Sequence, residues 1–373
     1  MCIRDRFKSL GVTNQVIQGL EGLSIFEPTE IQVHSIPRLI KSRIDFIGIA
    51  HTGTGKTAAY SIPIIQNIDF TEPKIQALIL CPTRELGKQI AKLIFMLTKY
   101  TEKIFVEAVY GGEKIDAQIS SLRRKTHILV ATPGRLLDLQ RRKAVDLRQL
   151  NTVVLDEADE MLSFGFKKHL ALILEQTSRA SNTWLFSATM PKEIIQIIYK
   201  YMDSEAVKVE ANKGQKLNSD IAHQYAICDQ DQKIEALIFF LKSYKKKRGI
   251  IFCKTKRATK QLHDQLTAKN YQVGCIHGDL KQIERNKVMR AFKGDKLKVL
   301  IATDLSARGI DIDNLAYVFH YQLPEQVEYY IHRSGRTARA GKKGVSILLI
   351  APKEIKYMRL ISKQLHIEFK QLQ

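Results

Sequence analysis

Short runs of β-branched and other apolar residues alternate with longer amphipathic segments, and this alternation constrains the fold more than any other feature of the sequence. In the first half the runs predict strands at 46–50, 77–81, 105–109, 128–131, 152–155 and 183–187. In the second half they predict strands at 249–253, 273–276, 299–302, 317–321 and 344–350. Because helical periodicity fills the intervals, for example over 85–98 and 256–269, we expect an α/β fold with parallel sheets covered by helices on both faces.

The alternation is interrupted by a polar segment that lacks apolar periodicity, at 210–218. We interpret this segment as a linker between two tandem α/β domains, 7–209 and 219–373. A length of 373 residues agrees with two domains. Residues 1–6 do not resemble part of either unit and are left out of the predicted fold.

The charge balance points to a polyanionic partner. Lysine and arginine exceed the acidic residues by 59 − 38 = 21, and the excess is larger in residues 216–373 (30 − 15 = 15) than in residues 1–215 (29 − 23 = 6). Polyanions, above all nucleic acid or an anionic membrane surface, are therefore the leading expected partners. No apolar stretch approaches the ~18 residues of a membrane span. Scattered cysteines without C-x-x-C spacing, and a start without a secretion signal, favour a cytoplasmic protein over a disulfide or zinc framework.

A phosphate-binding loop follows the first predicted strand. The segment from Ala50 to Thr57 reads AHTGTGKT and leads into a predicted helix, the context that such a loop requires. Gly53 and Gly55 would let backbone amides turn towards the phosphates, and Lys56 would neutralise the β and γ oxygens. The Thr57 hydroxyl would ligate Mg²⁺.

Two further elements complete a site for hydrolysis of a nucleoside triphosphate. Asp156 ends a buried strand, where it would hold Mg²⁺, and Glu157 would orient and deprotonate the attacking water. Downstream, the segment HRSGRTAR carries Arg333, Arg336 and Arg339 at spacing three, which on one helix face would let Arg336 and Arg339 reach a phosphate together. Taken alone, this segment would be interpreted first as a solvated basic helix. If both arginines act, closure of the two domains would assemble the catalytic site.

In order and spacing, these motifs resemble those of the DEAD-box RNA helicases, whose core consists of two RecA-like domains. Residues 156–159 spell the motif that names the family, and the match runs from about Phe7 to the C-terminus. The resemblance implies an ATP-dependent RNA helicase that uses ATP and Mg²⁺. It also implies that ATP and RNA together close the cleft between the domains, which bends one strand and separates a few base pairs.

The resemblance assigns roles to further residues. In the motif PTEIQ, Gln32 would bind the adenine edge and Phe7 would stack on the ring; the family usually has Gly and an aromatic residue at Ser24 and Ile25. The family also has Gly at the position of Ala338, a departure expected to be small. The implied nucleotide-binding residues are Phe7, Gln32, Thr52, Gly53, Thr54, Gly55, Lys56, Thr57 and Asp311. The implied coupling residues, which link hydrolysis to strand separation, are Asp159, Ser187, Thr189 and His332.

Loops that follow predicted strands suit an RNA backbone. They offer amides, glycines and arginines to phosphates, and such contacts position a strand without reading its bases. Singly, each of these motifs could be only a helix cap or a turn; together they resemble the RNA groove of the family. The expected RNA-binding residues are Pro82, Thr83, Arg84, Gly111, Gly112, Thr132, Pro133, Gly134, Arg135, Gln282, Arg285 and Thr303.

Two other functions stay open on the sequence alone. The chain could be an ATP-gated RNA clamp or a ribonucleoprotein-assembly module with little unwinding, although intact catalytic residues argue against this. It could also act on DNA, although the DEAD spelling and the Gln32 motif favour RNA. Proteins of ribosome assembly, RNA decay or another ribonucleoprotein are possible partners.

Overall fold

The computed structural model describes residues 3–50, 53–177, 181–211, 220–244, 247–307, 312, 315–338 and 342–372. Its internal contacts divide the chain into two compact units, residues 1–213 and 214–373. The boundary falls within 212–219, which lies outside the described residues and includes most of the expected linker. Among the described helices, none combines the length and the apolar character needed to span a membrane.

The first unit contains a seven-stranded parallel sheet in the order β3-β4-β2-β5-β6-β1-β7. Its strands are β1 (Phe46–Ile49), β2 (Ala77–Leu80), β3 (Val106–Val109), β4 (Ile128–Ala131), β5 (Thr152–Asp156), β6 (Asn182–Ser187) and β7 (Val207–Glu210). Its helices are α1 (Ile3–Lys8), α2 (Asn14–Gly22), α3 (Glu30–Lys41), α4 (Lys56–Asn67), α5 (Arg84–Leu97), α6 (Ile115–Leu122), α7 (Pro133–Arg141), α8 (Ala158–Ser163), α9 (Lys167–Leu174) and α10 (Lys192–Tyr201).

The second unit repeats the architecture, with a seven-stranded parallel sheet in the order β10-β11-β9-β12-β13-β8-β14. Its strands are β8 (Ile221–Ile227), β9 (Gly249–Cys253), β10 (Val273–Ile276), β11 (Val299–Thr303), β12 (Tyr317–His320), β13 (Gly344–Ile350) and β14 (Lys370–Gln371). Its helices are α11 (Lys233–Ser243), α12 (Lys256–Ala268), α13 (Gln282–Lys293), α14 (Asp304–Ala307), α15 (Val327–Ser334) and α16 (Ile355–Leu365), with a 3₁₀ turn at Pro352–Glu354.

Burial on both faces of each sheet explains the continuous apolar strands. In β2, Ile79 packs into one core of the first unit, whereas Leu78 and Leu80 pack into the core on the opposite face. In β9, Ile251 and Ile250 divide in the same way between two cores of the second unit. Successive side chains of a strand point to opposite faces, so a strand buried on both sides needs an apolar residue at nearly every position.

The predicted α/β class and parallel sheets are confirmed, and every predicted strand is present. Three strands were missed, namely β7, β8 and β14. β7 and β14 are at sheet edges; β7 alternates half-buried with exposed residues, and β8 has exposed and half-buried residues between its buried ones. A half-buried strand lacks the apolar run on which the other strands were predicted.

Candidate functional site

Three neighbouring strands bring the predicted nucleotide residues of the first unit to one edge of its sheet. β6 pairs with β1 on one side and with β5 on the other, all parallel. The carboxyl ends of these strands lead into the phosphate-loop segment, the DEAD segment and the segment Ser187–Thr189. The amide of Ala50 donates to the Ser187 carbonyl at 3.0 Å, so the start of the loop is tied to β6.

Glycine conformation and one glutamine shape the phosphate loop. Gly53 and Gly55 have φ values of 82° and 87°, a region that favours glycine, and α4 begins directly after Gly55. The Gln32 side chain donates from Nε2 to the Gly55 carbonyl at 3.0 Å, while its Oε1 accepts from the Thr29 amide at 3.0 Å. A Cβ at position 55 would lie 2.4 Å from Gln32 Nε2. Gln32 therefore connects the phosphate loop to the start of α3 through hydrogen bonds. Thr52 lies outside the described residues.

Lys56 presents a buried cation to this edge. Its Nζ has no hydrogen-bond partner in the described part of the chain, although the side chain is buried. Burial raises the pKa of Asp156, and the charge of Lys56 opposes that shift. A buried ammonium without hydrogen bonds is unfavourable unless an anion satisfies it. The site therefore fits the phosphates of a nucleotide, with Lys56 facing them from the start of α4.

Asp156 is held by an unpredicted residue, Tyr60. The Tyr60 hydroxyl donates to Asp156 Oδ2 at 2.7 Å and also hydrogen-bonds the Thr57 side chain. The Glu157 amide donates to Asp156 Oδ1 at 3.0 Å. Tyr60 thus connects the two side chains predicted to hold Mg²⁺, and their oxygen chemistry suits this cation. A tyrosine among the apolar residues of a helix is usually part of the hydrophobic core. Only its spacing of three from Thr57 could have indicated the hydrogen bond between the two side chains.

The predicted coupling residues of the first unit form one network. Asp159 Oδ2 accepts from the Thr189 amide at 2.9 Å and from the Thr189 hydroxyl at 2.8 Å. The Asp159 amide donates to Ser187 Oγ at 3.2 Å, and that hydroxyl donates to the Thr189 carbonyl at 2.7 Å. The contact expected between these motifs is present, whereas its role in coupling stays a prediction. The fourth residue of the set, His332, lies on α15 of the second unit.

Phe7 differs from the sequence expectation, whereas Ser24 has the backbone conformation that the glycine of the family implies. Phe7 is 1% exposed and belongs to the hydrophobic core, so its ring is covered instead of open for stacking on adenine. Ser24 has φ = 57°, which explains why a related chain would carry glycine there. Asp311, predicted to contact the ribose, lies outside the described residues.

The prediction that three arginines share one helix face is wrong. α15 ends at Ser334, and Arg336 lies in the turn that follows it. The Leu315 amide donates to the Arg336 carbonyl at 3.2 Å, and a bridge between Leu315 and Thr337 draws the chain away from the helix axis. Arg339 lies outside the described residues.

Arg333, the arginine on α15, is part of the core of the second unit instead of a solvated surface. Its Nε and Nη2 donate to the two carboxylate oxygens of Asp304 at 2.5 and 2.6 Å, and its Nη1 donates to the Gln322 carbonyl at 2.8 Å. The guanidinium also lies over the Phe252 ring at 5.0 Å from the centroid. A bidentate, fully paired arginine anchors the helix that precedes Arg336.

Alanine in place of the family's glycine at position 338 costs more conformational energy than the size of a methyl group predicts. Its φ is 55°, in the left-handed region, where a side chain costs about 1–2 kcal/mol relative to glycine. The expectation that alanine at 338 is a small change took account only of side-chain volume. It is corrected here, because the backbone at this position is left-handed.

In the first unit, predicted RNA-binding residues lie at the carboxyl ends of β2, β3 and β4, which are neighbours in the sheet. Arg84 forms an ion pair with Glu113, and Arg135 donates from Nη2 to the Glu113 carbonyl at 2.9 Å. Gly112 has φ = 82°, so its glycine is required by the backbone. The structure therefore brings Arg84, Gly112 and Arg135 together around the loop after β3.

Other members of this set are less accessible than predicted. Pro82, Thr83, Thr132 and Pro133 are buried, while Gly111 is exposed and Gly134 half-buried. The Thr83 hydroxyl accepts from the Leu86 amide at 3.3 Å and so caps α5. At Thr83 the structure therefore contains a helix cap, which was the alternative interpretation of this motif.

In the second unit, α13 begins at Gln282, whose amide Nε2 donates to Asn286 Oδ1 at 3.0 Å. Arg285 donates to the Ser306 carbonyl at 2.8 Å. Thr303 is buried, and its hydroxyl donates to Ser306 Oγ at 2.9 Å. Arg285 and Thr303 are therefore neighbours through Ser306, with the Thr303 side chain directed into the protein.

Comparison with known proteins agrees with these motifs. The DEAD/DEAH box helicase family model matches residues 29–197, and the helicase conserved C-terminal domain model matches residues 232–341. An ATP-dependent RNA helicase CshA from Limosilactobacillus reuteri is 41% identical over 360 residues, covering 96% of this chain and 71% of that protein. A DEAD-box ATP-dependent RNA helicase CshA from Bacillus cereus is 38% identical over 358 residues, covering 96% and 67%.

Solved structures resemble the whole chain as well. Dbp5 of S. cerevisiae bound to RNA and ADP BeF3 has a TM-score of 0.88 at 30% identity, covering 98% of this chain and 95% of that one. Mss116p bound to ssRNA and AMP-PNP has a TM-score of 0.86 at 28% identity, covering 100% and 80%. Both contain the tandem RecA-like domains whose fold the two units of this chain match.

Proposed function

This chain belongs to the DEAD/DEAH box helicase family, and from that premise we propose how its own residues carry out ATP-dependent unwinding of RNA. It is an RNA-stimulated ATPase and helicase that acts on RNA. The proposal assigns the nucleotide to the carboxyl edge of β1, β6 and β5 and the RNA backbone to the loops after β2, β3 and β4. It assigns the Gln282, Arg285 and Thr303 region of the second unit to the same RNA.

The unpartnered ammonium of Lys56 is the observation that carries the proposal. It lies at the start of the helix after a glycine loop, beside a carboxylate at the end of the next strand but one. Lys56 would bind the β and γ phosphates of ATP. Gln32, which already contacts Gly55, would sense whether adenine is bound and transmit this to the phosphate loop.

Thr57 and Asp156 would hold Mg²⁺, which when bound neutralises phosphate charge. Glu157 would take the proton of the attacking water on its carboxylate. Arg336 and Arg339 would add positive charge to the γ-phosphate in the transition state. Asp159, Ser187, Thr189 and His332 would convert the state of the phosphate site into a change of RNA binding.

RNA-dependent turnover is the test of the proposed function. Phosphate release should continue over many turnovers when single-stranded RNA is added, and a short RNA duplex should separate in the presence of ATP. Multiple turnover with RNA but little without it is the expected result. An enzyme that binds RNA with ATP but releases less than one equivalent of phosphate would support the clamp alternative. Equal stimulation by DNA of the same sequence would support action on DNA.

Tyr60→Phe tests the arrangement of Thr57 and Asp156 without measuring turnover. Removing a donor to a buried carboxylate costs about 1.5–3 kcal/mol, so the first unit should unfold at lower denaturant concentration. The variant should also lose part of the gain in nucleotide affinity that Mg²⁺ provides, measured with a fluorescent ADP in Mg²⁺ and in EDTA. Unchanged affinity in EDTA would locate the defect at the metal-binding side chains.

Tyr317→Phe is the matched control for Tyr60→Phe. Tyr317 is also buried, in the second unit, and among the described residues burial and Tyr244 account for its raised pKa, without a carboxylate hydrogen bond. If both variants keep the same Mg²⁺ dependence as the parent, Tyr60 does not organise the metal ligands.

We also propose a cytoplasmic location. The support is the composition: cysteines without disulfide spacing and a basic, RNA-binding chain. Antibody or fluorescent-tag localisation in the host would test this directly.

A further inference from the structure

An acidic side chain occupies the centre of the RNA surface assigned to the first unit. Glu113 follows Gly111 and Gly112, and its carboxylate pairs with the Arg84 guanidinium. The Lys88 Nζ lies 3.9 Å from the same carboxylate, and the Tyr110 hydroxyl hydrogen-bonds it. A chain with a net charge of +21 therefore places one of its carboxylates on a cation predicted to bind RNA phosphate.

The Arg84 guanidinium is largely covered by its neighbours. The side chain is only 10% exposed, and its guanidinium carbon lies 4.6 Å from the centroid of the Tyr110 ring. Guanidinium groups bind carboxylates and phosphates through the same planar pairs of N–H donors. The Glu113 carboxylate thus occupies a position that a phosphate oxygen of RNA would use.

Glu113 is able to leave this position. Its side chain is 40% exposed, so the carboxylate can return to water when another anion binds Arg84. The backbone of Glu113 makes a hydrogen bond of its own, because its carbonyl accepts from Arg135 Nη2 at 2.9 Å. Arg135 is also held by Gln118, to which its Nη1 donates at 2.6 Å. Changing the side chain at 113 therefore leaves the hydrogen bond to Arg135 available.

We propose that Glu113 determines the RNA affinity of the first unit by competing with RNA phosphate for Arg84. RNA binds this arginine only after displacing the carboxylate, which weakens binding and makes release easier. The inference rests on the proposed role of Arg84 in RNA binding. The opposite possibility is that Glu113 orients Arg84 for RNA, and the two predict changes of opposite sign.

Glu113→Gln provides the test. RNA affinity of the full chain is measured by fluorescence anisotropy with a labelled single-stranded oligouridylate, without nucleotide and at fixed low salt. Removing the competing charge should lower Kd roughly 3- to 10-fold. A weaker affinity or no change would overturn the proposal.

Asp116→Asn is the matched control, because it removes the same charge three residues later. Its side chain is 87% exposed and pairs with Arg142 at 3.8 Å instead of Arg84. It should change Kd less than about twofold, since a charge outside the contact acts only through the screened field. A gain as large as that of Glu113→Gln would reduce the effect to net charge and overturn the proposal.

Arg84→Ala and the double variant Arg84→Ala/Glu113→Gln separate the inference from the proposed function. Arg84→Ala should weaken RNA binding, and in that background Glu113→Gln should bring no more gain than Asp116→Asn. If Arg84→Ala leaves Kd unchanged, the RNA role of Arg84 fails and the inference fails with it. If Arg84→Ala weakens binding but Glu113→Gln does not tighten it, only the inference fails.

Discussion

Replacing Glu157 by glutamine should abolish multiple-turnover ATP hydrolysis while ATP and RNA still bind. Glutamine keeps the size of the side chain but cannot accept a proton from water, and a general base contributes about 10²–10⁴-fold to such a step. Glu157 has φ = 50° and ψ = 52° at the turn between β5 and α8, a conformation that a residue other than glycine adopts at a cost. This turn redirects the chain directly after the strand that carries Asp156.

The measurement is phosphate release with saturating RNA, beside equilibrium binding of a fluorescent nucleotide and a labelled RNA. Glu205→Gln is a suitable control, because Glu205 is an exposed glutamate of the same unit that has no assigned role. A loss of at least about 100-fold in turnover with binding intact is expected for Glu157→Gln alone. Near-normal RNA-stimulated hydrolysis by this variant would show that Glu157 is not the general base.

Arg336→Ala should reduce RNA-stimulated ATP hydrolysis by about 10³-fold, the effect of removing an arginine that stabilises the transition state of phosphoryl transfer. The backbone at Arg336 is held from two directions. Its amide donates to the Arg333 carbonyl at 3.1 Å, and its carbonyl accepts from Leu315 at 3.2 Å. Since Arg333 is itself fixed by Asp304, the position of residue 336 is set before any ligand binds.

The decisive comparison uses three variants in the same assay. Arg336→Lys should recover little activity, because a lysine lacks the planar pair of donors. Arg359→Ala removes an exposed arginine of α16 in the same unit and should retain activity. If Arg336→Ala hydrolyses ATP at a rate within a fewfold of Arg359→Ala, Arg336 does not act on the phosphate.

Periodicity predicted the fold well because each central strand is buried on two faces. The apolar run of β5, for example, follows from cores on both sides of Val153 and Val154. The same logic fails at the edge strand β7, which alternates half-buried and exposed residues. Strand pairing at an edge depends on contacts distant in sequence, which local patterns do not contain.

Motif spacing located the chemical groups but not their accessibility. Thr303 and Phe7 were expected to face ligands, and both are buried by packing that spacing cannot express. The helix expected to present three arginines ends at Ser334, because the segment after it pairs with Leu315 instead of continuing the helix. Tyr60 was not among the predicted site residues, yet its hydroxyl carries the hydrogen bonds that join Thr57 to Asp156.

The order of strands in the first sheet has an electrostatic consequence for two polyanions that bind one edge. The strands whose following loops are assigned to RNA, β3, β4 and β2, come first, then β5, which ends at Asp156, then β6, then β1, which precedes the phosphate loop. Neighbouring strands lie roughly 4.8 Å apart, so β5 and β6 would keep the two proposed sets of phosphates apart. In the proposed site, Asp156 and Asp159 would repel a misplaced RNA phosphate from Lys56 and so reserve that cation for the nucleotide.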